Sequence, residues 1–142
     1  IEESVEIQRA KERILSEIEN NRMLATKFYG EIVEKYPEVT LPEKIQYAIA
    51  DFLYRQGEFE KSYIAYKNFV LNYTFSKLAD NALLAIGKIL MEKKDYQKAK
   101  YAFLQIVLFY PYSDVYEEAK YYLEKQLPKL TFKETQGFQE QS

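Results

Sequence analysis

Carboxylates are the one reactive side-chain class this chain holds in abundance, with 22 Asp and Glu among 142 residues. Two of them facing each other across a cleft could cleave a glycosidic bond, one as acid and one as base or nucleophile. The pattern does not collect them that way. Glu2, Glu3, Glu6, Glu12, Glu17 and Glu19 fall on polar helix faces, where solvation and i,i+4 pairing with Lys and Arg account for them. The chain has no Cys and no His, which excludes thiolate nucleophiles, imidazole acid–base catalysis and the usual Cys/His zinc sites. No Gly-rich phosphate loop, nucleophile elbow, HExxH helix or calcium loop occurs, and the four glycines lie far apart. Asn72-Tyr73-Thr74 matches a glycosylation sequon at an expected helix end, too short a pattern to assign a function. The expectation is a protein that is not an enzyme and needs no metal or cofactor. A carboxylate-dependent hydrolase, such as a helical peptidoglycan-cleaving protein, is the least favoured alternative.

The elements that carry these residues are expected to be helices. A hydrophobic fraction of 47% with 30% charge, four Gly and four Pro describes an ordered domain poor in the turns an all-β chain requires. The length suits one domain. A formal net charge of −2 gives no basic face for nucleic acid. No apolar run reaches the ~18 residues of a membrane span, and the first ten residues are acidic and amphipathic, without the pattern of a targeting segment.

Sliding the sequence against itself by 37 residues aligns three windows. Ala25, Ser62 and Ala99 coincide, as do Tyr29, Tyr66 and Phe103; Ile32, Phe69 and Ile106; Tyr36, Tyr73 and Tyr110; and Pro37, Thr74 and Pro111. Offsets of four, seven and eleven from a small residue trace one face of a helix that another helix approaches closely. A second periodic segment precedes each window. Ile49 and Leu53 correspond to Ile86 and Leu90 and to Leu123 and Leu127, beside the small residues Ala50 and Gly87. The first copy fits only after a two-residue deletion, with Ile14, Leu15 and Ile18 in those slots.

The spacing predicts seven helices, near 2–19, 21–36, 42–56, 59–73, 76–93, 96–110 and 113–127. Gly57 suits a helix C-terminus, Ser76 and Ser113 suit N-caps, and Thr40 to Glu43 reads as a capping box. The fold class is therefore all-α, with a helical repeat domain over 1–127 and a tail over 128–142. Its repeats lie near 2–37, 42–74 and 76–111, and Pro128 is expected to end a capping helix over 113–127.

Leu83, Ile86, Gly87, Leu90, Ala99, Phe103 and Pro111 fall at the spacing of the tetratricopeptide (TPR) signature. Ile49, Ala50, Leu53, Tyr66 and Thr74 fill the equivalent places one repeat earlier, with Ser62 in place of the second small residue. Over 8–127 the chain thus resembles a TPR protein, which implies a superhelix of about three antiparallel helix pairs plus the C-terminal cap. The longer period places extra residues after the corners Tyr73-Thr74-Phe75-Ser76 and Tyr110-Pro111-Tyr112-Ser113. Together with the turns Gly57–Ser62 and Lys94–Ala99, this is similar to the TPR modules of bacterial envelope proteins, the BamD-like outer-membrane assembly lipoproteins and the YbgF-like Tol-Pal-associated proteins. That likeness implies the periplasmic side of the cell envelope, with an outer-membrane lipid anchor as one arrangement. The sequence has no Cys to carry a lipid, and the cytoplasm is the alternative location.

In the family the first helix of each pair lines a concave groove. Carried onto this chain, the outward positions are Tyr47, Asp51, Tyr54 and Arg55, then Leu84, Lys88 and Met91, then Tyr121 and Glu124. Aromatic, Met and Arg side chains among charges have the composition of protein-binding patches, although single tyrosines in such a row also serve as packing. The carboxylate clamp that grips a chaperone tail is disfavoured, because its positions hold Glu12, Asp51, Leu84 and Glu124. Phe75, Phe109, Tyr112 and Tyr116 crowd the corners between repeats, where they either seal the joints or form a second, outer contact. The expected function is a protein–protein interaction scaffold that binds a segment of a partner in its groove, within envelope or outer-membrane assembly. The alternative is a structural domain that associates with itself or with flanking domains, giving a homo-oligomer in the first case, through the uncovered Tyr116, Tyr122 and Leu123.

Overall fold

The structure is a computed structural model that describes residues 4–20, 35 and 40–130, with the backbone alone at 14, 15 and 17–20. The expected helix at 21–36 and most of the expected tail lie outside the described residues, Lys35 apart. Among the described residues all regular structure is helical: α1 (Val5–Asn20), α2 (Glu43–Arg55), α3 (Phe59–Asn72), α4 (Ala79–Glu92), α5 (Tyr96–Phe109) and α6 (Tyr116–Tyr121). A π-helical turn, Tyr122–Gln126, continues α6. The chain divides into two compact units, Ile1–Thr74 and Phe75–Ser142.

In the first unit Ser4 caps α1, its hydroxyl accepting the Ile7 N–H at 3.2 Å. Lys35 pairs with Glu6 of that helix at 3.1 Å, both well exposed. α2 and α3, joined by a short turn, pack against each other. Ile45, Ile49 and Leu53 recur every four residues on α2, and Ala65, Tyr66 and Phe69 face them from α3; all are buried. Ser62 closes the small-residue approach, donating its hydroxyl to the Ala50 carbonyl at 2.8 Å, which satisfies a hydroxyl that is fully buried.

The second unit repeats this arrangement with different residues. α4 buries Ala82, Leu83, Ile86, Ile89 and Leu90 against Ala99, Ala102, Phe103 and Ile106 of α5. Gly87 takes the place of Ala50, and the Phe103 ring fills the space this opens. A Cβ built at Gly87 would lie 2.5 Å from Phe103 Cε1 and 2.6 Å from Cζ.

Both helix pairs turn through the same Schellman cap. Gly57 and Glu58 donate to Tyr54 and Leu53, and Lys94 and Asp95 to Met91 and Leu90, all at 2.9–3.0 Å. The left-handed residue is Gly57 (φ 77°) in the first turn and Lys94 (φ 61°) in the second. The next position caps the following helix only in the second unit, where Asp95 accepts the Lys98 N–H at 3.4 Å; Glu58 makes no such bond. Each turn therefore lacks one device that the other has. Lys94→Gly is expected to stabilise by about 1 kcal/mol, because a side chain with a Cβ is strained at positive φ. Glu58→Asp should add roughly 0.5–1 kcal/mol through a new cap. Urea unfolding checks both, and a loss of stability in either variant contradicts the corresponding assignment.

The structure corrects three expectations about helix ends. Ser76 and Ser113 are not N-caps: their hydroxyls accept the N–H two residues on, from Leu78 and Val115 at 3.0 Å, forming a turn before helices that begin at Ala79 and Tyr116. Thr40 lies too far upstream to box α2, whose N-cap is Pro42 with no side-chain bond. Pro128 does not stop the last helix, which stays helical to 130. Across the π turn the Leu127 N–H reaches back to the Tyr122 carbonyl, five residues away. The turn loosens the ladder just ahead of a proline that has no N–H to contribute and whose ring crowds an ordinary helix. Leu127, at the end of this turn, is buried.

Candidate protein-binding surface

α2 presents its outward residues above an aromatic floor. Tyr47 packs edge-on against Tyr66 (5.7 Å between centroids) and Phe69 (5.5 Å), and Tyr54 packs edge-on against Phe59 (5.6 Å). Edge-to-face contacts of this kind orient the rings as well as bury them. Tyr47 and Tyr54 are thereby half-buried, each both packed and accessible. Asp51 and the exposed Arg55, one turn apart, form an ion pair at 2.9 Å. A pair this exposed contributes about 0.3–0.5 kcal/mol, so its guanidinium can exchange partners at little cost.

Beneath this row Tyr66 is almost wholly buried. Burial pushes its phenol well above the ordinary tyrosine range, the negative character of Tyr47, Asp51 and Tyr54 adds to that, and Arg55 opposes it. A phenol held neutral in the folded state supports stability fully below the unfolded pKa of about 10 and withdraws that support as pH rises beyond it. Stability should therefore fall from about pH 10 upward. Tyr66→Phe should flatten that fall, as urea unfolding at neutral and alkaline pH would register. An identical alkaline slope in the variant contradicts this role.

In the second unit the outward residues differ in kind. Leu84 is 7% exposed and is withdrawn from the binding row, since its side chain belongs to the buried set of α4. Lys88 is half-buried and reaches the Glu118 carboxylate of α6 at 3.0 Å, so it ties two helices of the unit together. Met91 is half-buried. Tyr121 is exposed and accepts the Gln126 amide at 2.7 Å, bracing the π turn. Glu124 is exposed on that turn. Tyr47, Asp51, Tyr54 and Arg55 thus form one continuous surface on the first unit, whereas in the second Met91, Tyr121 and Glu124 remain accessible and Lys88 is engaged.

A feature that sequence spacing did not reveal lies in the second unit. Tyr96, Gln97 and Lys100 of α5, with Leu123, Leu127 and Pro128, line an open groove of about 320 Å³. Its walls are the start of α5 on one side and the π turn with the helix that follows it on the other. The corner aromatics divide: Phe75, Phe109 and Tyr112 are exposed and Tyr116 is half-buried. Asp80, mostly buried on α4, accepts the Ser113 hydroxyl and the Asn81 N–H (2.8 Å), fastening the second corner to the helix below.

Among the described residues no group of three or more Asp and Glu could hold a metal ion, and no helix is long and apolar enough to cross a membrane. No protein-family model matches the chain, and no curated protein matches it significantly.

Proposed function

We propose that this chain is a non-catalytic scaffold of the TPR type that holds a segment of a partner protein on the outward faces of its first helices. The observation that carries the reading is the α2 row. Tyr47 and Tyr54 are anchored by Tyr66, Phe69 and Phe59 yet remain half-exposed, with the adjustable Asp51–Arg55 pair between and beside them. Rigid aromatics with little entropy to lose, beside an Arg that can change partners, are what an extended or helical segment needs for anchoring. Met91, Tyr121 and Glu124 supply the corresponding positions of the second unit. The 37-residue repeat and the corner motifs support a TPR-like superhelix and a place in the bacterial envelope, in outer-membrane assembly.

The test is capture by the folded chain from envelope and soluble extracts, alongside Tyr54→Ala and Arg55→Glu variants that keep their helical circular dichroism. One protein held by the wild type and lost by both variants is expected. Equal capture by all three, or none, overturns the reading. Self-association is the second reading, and the open groove beside Leu123 and Leu127 favours it. A mass that stays monomeric in sedimentation at high concentration removes it.

A further inference from the structure

The groove of the second unit joins two kinds of surface. Tyr96, Leu123, Leu127 and Pro128 give it apolar walls, and Gln97 and Lys100, both exposed on α5, give it a polar edge whose one charge is positive. At about 320 Å³ it stands at the small end of the ~300–1,000 Å³ of sites that enclose a ligand, with room for a ring or two and not for a helix. Its occupant should therefore bring one or two aromatic side chains on an extended stretch of chain, with a carboxylate close to them.

The chain itself carries such a stretch within reach. Leu127 and Pro128 stand in the groove wall just before Leu130, and residues 131–142, outside the described residues, follow directly. Their only apolar side chains are Phe132 and Phe138, and their charges are Lys133, Glu134 and Glu140. Length sorts the two rings. Two residues from Leu130 span at most about 7 Å, so Phe132 reaches only the Pro128 end. Eight residues span up to ~28 Å, against roughly 11 Å of helix from Leu130 back to Leu123, so Phe138 reaches the whole groove with slack for a reversal. We infer that the groove is filled by this chain's own residues 131–142, with Phe138 seated between Tyr96 and Leu123 and a carboxylate of Glu134 or Glu140 facing Lys100. A second copy is the poorer occupant, because a segment tethered this closely is present at about millimolar effective concentration, well above that of another chain in dilute solution. Such seating withdraws the groove from self-association. The α2 row belongs to the first unit, so either assignment can fail without the other.

The chain has no Cys of its own, so a pair introduced as Gln97→Cys and Gln139→Cys reports on this contact alone. In a glutathione buffer the full chain should form the intramolecular disulfide, and the ratio of bridged to open protein gives the effective concentration of one thiol at the other. Phe138→Ser, which keeps the tether at the same length, should lower that concentration at least ~10-fold, the loss expected when a buried ring is withdrawn. Lys100→Glu, made on the exposed edge of the groove instead, should lower it about 2-fold, as for a weak exposed ion pair. Helical circular dichroism checks that each variant is folded. An effective concentration unchanged by Phe138→Ser would mean that the tether alone brings the thiols together, and overturns the inference in favour of an outside ligand. Failure of the bridge to form overturns it as well, and a disulfide that forms mainly between chains overturns it in favour of a second copy.

Discussion

Replacing Phe103 by Ala should cost about 3–5 kcal/mol, the range for removing a fully buried aromatic ring, and should leave the second unit unfolded or nearly so at room temperature. Phe103 has no exposed surface and lies against three parts of the unit at once. It sits on α5, its ring edge occupies the space over Gly87 of α4, and its face stacks on Tyr122 of the last helix at 4.8 Å and 9°. No neighbour can collapse into so large a void without giving up its own contacts, so the cavity cost adds to the lost transfer energy. Loss of helical circular dichroism with urea should move to a much lower midpoint. A variant destabilised by less than about 1 kcal/mol would mean that the ring is not the joint between these helices.

Gly87→Ala should have the opposite sign to what helix propensity alone gives. Inside a helix that change is ordinarily worth about 1 kcal/mol of stabilisation. Here the new methyl would fall 2.5 Å from the ring of Phe103, which is buried and stacked and has no room to retreat. Overpacking of this kind costs about 1–3 kcal/mol, so the net change is expected to be destabilising. The cause is separable by a double-mutant cycle: with Phe103 cut only to Leu, which shortens the group over Gly87 while keeping the core filled, Gly87→Ala should become stabilising. Destabilisation of equal size in both backgrounds would place the strain elsewhere on α4.

These two residues stood out in the sequence as repeat positions, Phe103 in register with Tyr66 and Gly87 with Ala50, and only the structure sets the ring over the glycine. The helix cores were legible because Ile49, Leu53, Ile86, Leu90, Tyr66, Phe69 and Phe103 follow a 3.6-residue period that only a buried face explains. Helix starts were less so. A Ser at the head of a helix accepts equally well from an N–H two or three residues on, and at Ser76 and Ser113 the shorter reach delays the helix. Lys94 concealed a left-handed turn because nothing in its type announces one; its register with Gly57 was the available signal. Pro128 suggested a stop, and the loosened turn before it is a backbone solution that side-chain pattern does not encode.

The candidate surface was legible to a similar extent. Tyr47, Asp51, Tyr54 and Arg55 share the accessible side of α2, since one helix fixes their relation. Leu84 was misplaced because α4 is apolar around most of its circumference, with Leu83, Leu84 and Ile86 all buried, so periodicity gives no single outward stripe there. The groove beside Leu123 and Pro128 escaped notice because it is an opening between two elements, which spacing along one of them does not reveal. Which apolar residues stay exposed, Ile64 and Leu71 on α3 and Tyr101 and Leu108 on α5 among them, depends on packing that spacing does not supply.

The central claim, that the first helices hold a partner segment, is tested most directly by photo-crosslinking in the source cells. A benzophenone amino acid would replace Tyr54, Met91 or Tyr121 in turn, with Lys77 as the control position. The scaffold reading predicts crosslinks from the three test positions to one protein and none from Lys77. Crosslinks only between copies of this chain, or only from the control, would contradict it.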